Sequence, residues 1–429
     1  VKRLSEYFPT RESRNYGINI VEGALYITSG AFLSPQTVLP ALITRLGGSN
    51  LIVGALPLII YGGAFLPQIF AARYVETHPW KKPWVVNTGL PQRLLVLTIA
   101  AGIALLGGGH PVIALTMLVT LLVMNQVLVG ISTPGWFDLF AKLTPADRRG
   151  RLVGLRNSLG GASGLVASLF LTWLLATFAF PHNYAIGLFV AFLFQMGSLS
   201  MLRRLDEAEP SKVVERRPFG EYLVRLPLVL RENRNFRMFL IANALLTIAN
   251  MPLGFFTVYA LMHWAPGEQV VGQFTLSIVA VQVVSAVTIG IVADKRGNKV
   301  ALLLAGGAAF GATLVALVSP GVWMFYFVFL FTGVNLGTEL MARYNLAVEY
   351  GPPEQRSTYI GLMNTVLAPF YLSGIVAGWI VDQFGFTAMF LISMVFSIAG
   401  LTMLARRVVD PRLARRLPPA VHDPGAVRS

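Results

Sequence analysis

Three stretches of this chain, residues 94–137, 157–202 and 300–338, contain no Asp, Glu, Lys or Arg. Each is about 40 residues long, twice the ~20 residues an α-helix needs to cross a bilayer. Each has a turn signal near its middle: Gly107-Gly108-Gly109-His110-Pro111, Phe180-Pro181-His182-Asn183 and Ser319-Pro320-Gly321. Such runs are expected to fold as helical hairpins whose charged ends emerge on one side. A closed barrel needs short alternating strands, and these runs are too long and too uniformly apolar for that. Composition agrees: 55% of the 429 residues are hydrophobic and 13% charged, against about 25% charged in a soluble domain.

The same reading along the whole chain gives twelve spans, numbered here in order: 16–44, 50–74, 85–107, 111–137, 150–179, 184–203, 236–263, 268–293, 299–318, 322–346, 358–381 and 385–405. Of the 34 Lys and Arg, 33 fall in the two tails and in the 2–3, 4–5, 6–7, 8–9 and 10–11 connections with their flanks. Arg45 alone lies on the other side. Basic residues accumulate on cytoplasmic loops, so both termini are expected in the cytoplasm, with the chain embedded in a bacterial inner membrane. This distribution accounts for the net charge of +14 without a nucleic-acid partner. With no cysteine, the sequence has no disulfide or thiolate chemistry.

The chain is written twice. Pro145, Arg149, Val153, Gly154, Leu155 and Asn157 recur, at identical spacing, as Pro352, Arg356, Ile360, Gly361, Leu362 and Asn364. Arg14-Asn15 recurs as Arg234-Asn235, and Glu76 and Lys81 as Asp294 and Lys299. Matches in the same order at similar offsets indicate two halves running in the same direction. The expected fold is an all-α integral membrane protein: a six-helix bundle over 1–203, a cytoplasmic linker over 204–235, a second bundle over 236–405 and a basic cytoplasmic tail over 406–429. The linker reads equally as an interfacial amphipathic stretch or as an irregular tether.

The loop Gly290-Ile-Val-Ala-Asp294-Lys295-Arg-Gly297-Asn298-Lys299 resembles the signature loop between spans 8 and 9 of the major facilitator superfamily, with Asn298 in place of one basic residue. Its first-half copy keeps only Glu76 and Lys81. The Pro-x-x-x-Arg frames at 145 and 352 are similar to that family's 4–5 and 10–11 loops. The resemblance implies an alternating-access transporter in which two bundles rock about a site near the membrane midplane, lined by spans 1, 4, 7 and 10.

Span 1 points the same way without the family. Asn15, Asn19, Glu22, Tyr26, Ser29 and Gln36 recur at helical spacing, and a polar stripe on a spanning helix must face other helices or a wet cavity. Span 7 offers Asn243, Thr247 and Asn250, and span 10 offers Asn335 with Glu339 and Arg343, which are spaced to pair. Gln126, Gln282, Asn364 and Tyr371 complete the candidate substrate-binding set with Asn19, Tyr26, Asn243, Asn250 and Asn335. Each of these amides has a competing role as glue between helices. Glu339 and Arg343 read first as a structural or gating pair. Glu22, desolvated within the span, is the candidate proton carrier; the competing reading holds it ionised against Arg343. A cytoplasmic latch is expected between Asp294 and the start of span 5, where Arg149 and Arg151 add charge to the helix N-terminus. Its weaker counterpart pairs Glu76 with Arg356. The competing reading has Asp294 capping its own loop through Gly297 and Lys299.

The expected function is secondary transport of a small organic solute, coupled to protons, by a monomer with no cofactor and no metal. An intramembrane enzyme would need a metal cluster or an activated nucleophile, and the five His (78, 110, 182, 263, 422) fall in loops, span ends or tails. A sensor on the same scaffold stays open. Export of a lipophilic or cationic compound is slightly favoured over uptake of a sugar or metabolite. Organic phosphates are disfavoured because only Arg343 reads as central.

Overall fold

The computed structural model describes residues 10–145, 147–211, 230–231, 233–351 and 356–411. It is helical throughout these residues, and nine helices are long and apolar enough to cross a membrane. The calls for a linker amphipathic stretch and for most of the basic tail lie outside the described residues.

Spans 1 and 7 are each broken in two, which the apolar pattern alone does not reveal. Span 1 runs Arg11–Ser29 and then Val38–Arg45; span 7 runs Arg234–Ala249 and then Phe255–Trp264. Pro35 lies in the first break, Pro252 and Gly254 in the second, and proline can neither donate the helical hydrogen bond nor fit against the preceding turn. Span 2 runs Asn50–Pro57, a π-turn Leu58–Gly62 and Gly63–Glu76. Spans 3 to 6 are Lys82–Leu106, Pro111–Leu143, Arg149–Thr177 and His182–Arg204; spans 8 to 10 are Gln269–Arg296, Asn298–Val318 and Val322–Tyr350. Span 11 begins Arg356–Leu367, passes a 3-10 turn Ala368–Leu372 and continues in Ser373–Arg407, which also contains span 12. The two are separated by Gly385 alone, at φ 81° and ψ 171°, a left-handed backbone that glycine adopts without a Cβ clash.

The repeated residues hold the two halves in the same way. The Asn15 amide donates to the Asp206 carbonyl and accepts from its N–H, both at 2.9 Å. Asn235 makes the same two bonds with Val409, both at 2.8 Å. One residue further on, the Glu207 carboxylate accepts the N–H groups of Lys81 (3.0 Å) and Lys82 (2.8 Å) at the start of span 3. Asp410 accepts the Lys299 N–H (3.2 Å) at the start of span 9. In each half, then, a first-span Asn grips the chain just past the last span, and an acid there binds orphan N–H groups of a helix start. We call this side, where both described ends lie, the terminal face.

The opposite, far face joins the halves. One apolar core runs across both, with Phe32, Leu39 and Leu42 of the first half in the same cluster as Phe255, Phe256 and Phe274 of the second. Toward the terminal face the core splits: Val85, Leu139, Leu202 and Leu205 belong to the first half and Phe236, Phe239, Leu346 and Leu362 to the second. Gly54 and Gly374 let spans 2 and 11 touch backbone to backbone, since a Cβ on either would strike the other's carbonyl. Spans 5 and 8 meet at Gly161 against Val283 and at Thr172 against Gly272, whereas Cβ atoms at Gly154 and Gly290, nearer the terminal face, would meet nothing within 4 Å. The halves therefore form a V that is closed on the far face and open on the terminal face.

Candidate functional site

Glu22 is 3% exposed, and a carboxylate so buried requires a partner. It has one in Arg156 of span 5, whose Nη1 lies 2.9 Å from Oε2. The Ser198 hydroxyl of span 6 donates to the other oxygen at 3.0 Å. Arg156 also donates to the Asn19 carbonyl at 3.1 Å and to the Asn19 side-chain oxygen. Its guanidinium sits 4.9 Å from the Trp136 ring centroid, within cation–π range. It crosses span 1 over Gly23, where any Cβ would collide with it. The expected alternative partner, Arg343, is elsewhere: it is paired with Glu339 in the other half.

A second layer lies behind Tyr26. Gln92 of span 3 donates to the Tyr26 hydroxyl at 3.3 Å, and the Asn125 amide of span 4 donates to the Gln92 carbonyl at 2.8 Å. Arg93 is 4% exposed and donates to the carbonyls of Gln195 (3.1 Å) and Gly89 (2.9 Å) and to the Gln92 side chain (3.0 Å), with Tyr26's ring centroid 5.7 Å away.

The second half has its own chain of contacts. Asn250, at the break of span 7, donates to Glu339 at 2.8 Å; Glu339 pairs with Arg343 one turn on; and Arg343 reaches the Tyr371 hydroxyl at 3.5 Å. Tyr371 stacks on Tyr61 of span 2 at 4.9 Å between centroids, which connects the halves. Tyr344 donates to the Asn364 side chain at 3.3 Å. Tyr61 and Tyr371 sit on the π-turn and the 3-10 turn, where the irregular helices bring them face to face.

The remaining candidates scatter. Asn243 is fully buried and bonds its own helix at the Phe239 carbonyl, and Asn335 ties span 10 to the Ala305 carbonyl of span 9. Gln126 packs beside Gly63, while its neighbour Asn125 makes the buried bond described above. Gln282 is half-buried where its backbone faces Gly337. Asp294 is exposed and lines a cleft of about 320 Å³ with Asn298, Thr338 and Asn345. Arg149 bonds the Thr144 carbonyl of its own connection at 3.1 Å and the Ala141 carbonyl in the last turn of span 4 at 2.5 Å; Arg151 and Glu76 are exposed. The Arg356 side chain lies outside the described residues. The loop after Asp294 is held by Asp410, which occupies the space beside Gly297 and bonds the Lys299 N–H.

Sequence reasoning counted Arg93 and Arg156 with the flanks of the 2–3 and 4–5 connections, and this is corrected: both are buried, within spans 3 and 5, as is Arg343 in span 10, where it was expected. Helical rise carried the missing signal. Arg156 is two turns past Arg149, about 10 Å into its span. Among the described residues, no cluster of three or more His, Cys, Asp or Glu is placed to hold a metal ion.

Buried ion pairs in apolar helices, arranged around an opening between two repeated halves, define a multi-pass membrane protein with a polar central cleft. The sequence pattern of the Major Facilitator Superfamily matches residues 267–427. Over that part of its length the chain is similar to that superfamily. Its structure is similar to that of a nucleoside transporter (TM-score 0.67, 13% identity, covering 92% of this chain and 98% of the other). It is also similar to a D-xylose–proton symporter (0.66, 14%, 94% and 99%). A third likeness is to a bacterial homologue of the iron transporter ferroportin in its inward-facing state (0.65, 16%, 91% and 98%). No curated protein sequence matches the chain.

Proposed function

We propose that the protein is a secondary transporter that moves a small organic solute across a bacterial inner membrane by alternating access, as a monomer with its terminal face in the cytoplasm. The observation that carries this reading is the pairing of a buried Glu–Arg couple in each half, Glu22–Arg156 and Glu339–Arg343, beside a V open on one face only. Polar residues at that depth are costly and are kept where a solute or ion passes. The neighbours named as a nucleoside transporter and a D-xylose–proton symporter are in keeping with such a role.

In this reading Glu22 carries the coupling proton, and it does so by leaving Arg156. Asp294 engages the start of span 5 when the terminal face closes, with Arg149 released from its own connection. Export of a lipophilic cation suits the single acid of span 1 but must contend with the arginines around it. Reconstitution into proteoliposomes tests the function: solute counterflow that needs no added energy, and accumulation that follows an imposed proton gradient, are expected. Absence of counterflow across a broad solute panel counts against transport and in favour of a sensor.

A further inference from the structure

The buried charges of the centre do not balance. Leaving aside Lys81 and Asp410 of the terminal-face braces, the buried charged residues among those described are Glu22, Arg93, Arg156, Glu339 and Arg343. Three cations face two anions. Glu22 is matched by Arg156 and Glu339 by Arg343. Arg93 is the surplus: the acceptors around it are the Gln195 and Gly89 carbonyls and the Gln92 side chain, all neutral. A guanidinium cannot discharge itself by losing its proton, as a buried lysine can. Its hydrogen bonds are met by neutral groups, and the carboxylate whose field reaches it, Glu22, is already paired with Arg156.

The surroundings connect that surplus to the cleft. Tyr26, a member of the span 1 stripe, has its hydroxyl on Gln92 and its ring against Arg93. Tyr26 is itself only half-buried, one turn beyond Glu22. Groups that can donate to an anionic oxygen therefore gather on this wall: the Tyr26 hydroxyl, the Gln92 amide and the two guanidiniums.

We infer that the cleft takes an organic anion, a solute bearing one carboxylate or phosphoryl group, with Arg93 supplying the compensating charge and Arg156 shared between the solute and Glu22. A cation entering the same centre would add to an excess that is already positive, in surroundings that screen poorly. A neutral sugar would leave the excess as it is. The inference rests on the cleft being the solute site.

The test uses the full chain, purified and reconstituted, with matched triads of acid, amide and amine on one carbon frame, from benzoate, benzamide and benzylamine upward in size. Thermal shift and then titration are expected to rank acid over amide by on the order of tenfold, as for a charge-assisted bond, with amines weakest. Arg93→Gln should erase the preference. Glu22→Gln should act oppositely: it raises the excess and tightens acid binding by a similar factor, a gain that damage to the fold does not produce. Phosphate monoesters on the same frames separate the two anion classes. Amines or amides that bind as well as their acids, weaker acid binding in Glu22→Gln, or no binding by any acid overturns the inference. If amines or amides are then seen to undergo counterflow, transport survives and only the anion reading falls.

Discussion

Arg45, the one basic residue on the far face, meets Glu268 across the two halves, with its Nε 2.7 Å from the carboxylate. The Asn183 amide donates to the other Glu268 oxygen at 2.5 Å. Asp382, the only other acid in the far-face loops, also bridges the halves, accepting from Asn50 at 2.7 Å. The Thr37 and Thr275 hydroxyls meet at 2.6 Å beneath them, and Thr257 donates to the Gln36 carbonyl at 2.8 Å. Every charge on this face therefore serves to hold it shut.

Breaking that clamp should open the far face. Arg45 is exposed and its pair is screened, so Arg45→Ala is expected to cost the closed state about 1 kcal/mol, roughly a fivefold change in the ratio of states. Because the chain has no cysteine, Arg45→Cys with Glu268→Cys gives a clean cross-linking pair. A bifunctional thiol cross-linker, which spans more than a disulfide's ~7 Å between Cα atoms, should trap the far-closed state and stop counterflow; unimpaired counterflow in the cross-linked protein would contradict the assignment.

The Glu22–Arg156 pair yields a prediction in two parts. Glu22→Gln is expected to lose proton-driven accumulation and keep solute exchange. Arg156→Gln leaves Glu22 buried without its cation and should destabilise the protein by about 3–5 kcal/mol. The double variant should recover most of that loss in a thermal or denaturant assay. A double variant no more stable than Arg156→Gln alone would show that the charge pairing is not what matters.

The terminal-face braces should contribute to stability and not to solute choice. Asn15→Ala and Asn235→Ala each remove two bonds to the chain beyond the last span, and each is expected to cost about 1–3 kcal/mol. Melting temperature should fall in both, with the relative rates of different solutes unchanged.

Gly54 and Gly374 are predicted to be intolerant for a reason of space alone. Gly54→Ala would drive a methyl into the Gly374 carbonyl and push spans 2 and 11 apart on the far face. The protein should shift toward a far-open state, detectable as faster labelling of a cysteine placed at Asn50. Labelling at the parent rate would count against this.

The proposed latch between Asp294 and Arg149 gives the prediction for the opposite movement. Spin labels at the two positions should move closer when the far face opens, and Asp294→Asn should slow transport. A distance that stays the same in both states would end the latch.

Some of this was present in the sequence because it depends on local properties. Charge-free length determined the helical hairpins, and the count of Lys and Arg per loop determined which ends share a face. The repeat marked Asn15 with Asn235 and Lys81 with Lys299, which the structure places in matching braces. Glu22 stood out because an acid in an apolar run must have a reason to be there. What the sequence alone left undecided was every partnership. Arg343 and Arg156 lie at comparable depths, and only the packing of span 1 against span 5 decided which one meets Glu22. Arg93 counts with the flank of the 2–3 connection because a window of composition does not distinguish a helix end from a position well inside it. Asp410, beyond the last span, holds the signature loop by coming back beside Gly297. The Tyr61–Tyr371 stack required two irregular turns, 310 positions apart, to face each other. Hydropathy and charge act at each residue separately and can be summed along a chain, but an ion pair depends on the rotation and neighbours of two helices, and those exist only once the helices have packed.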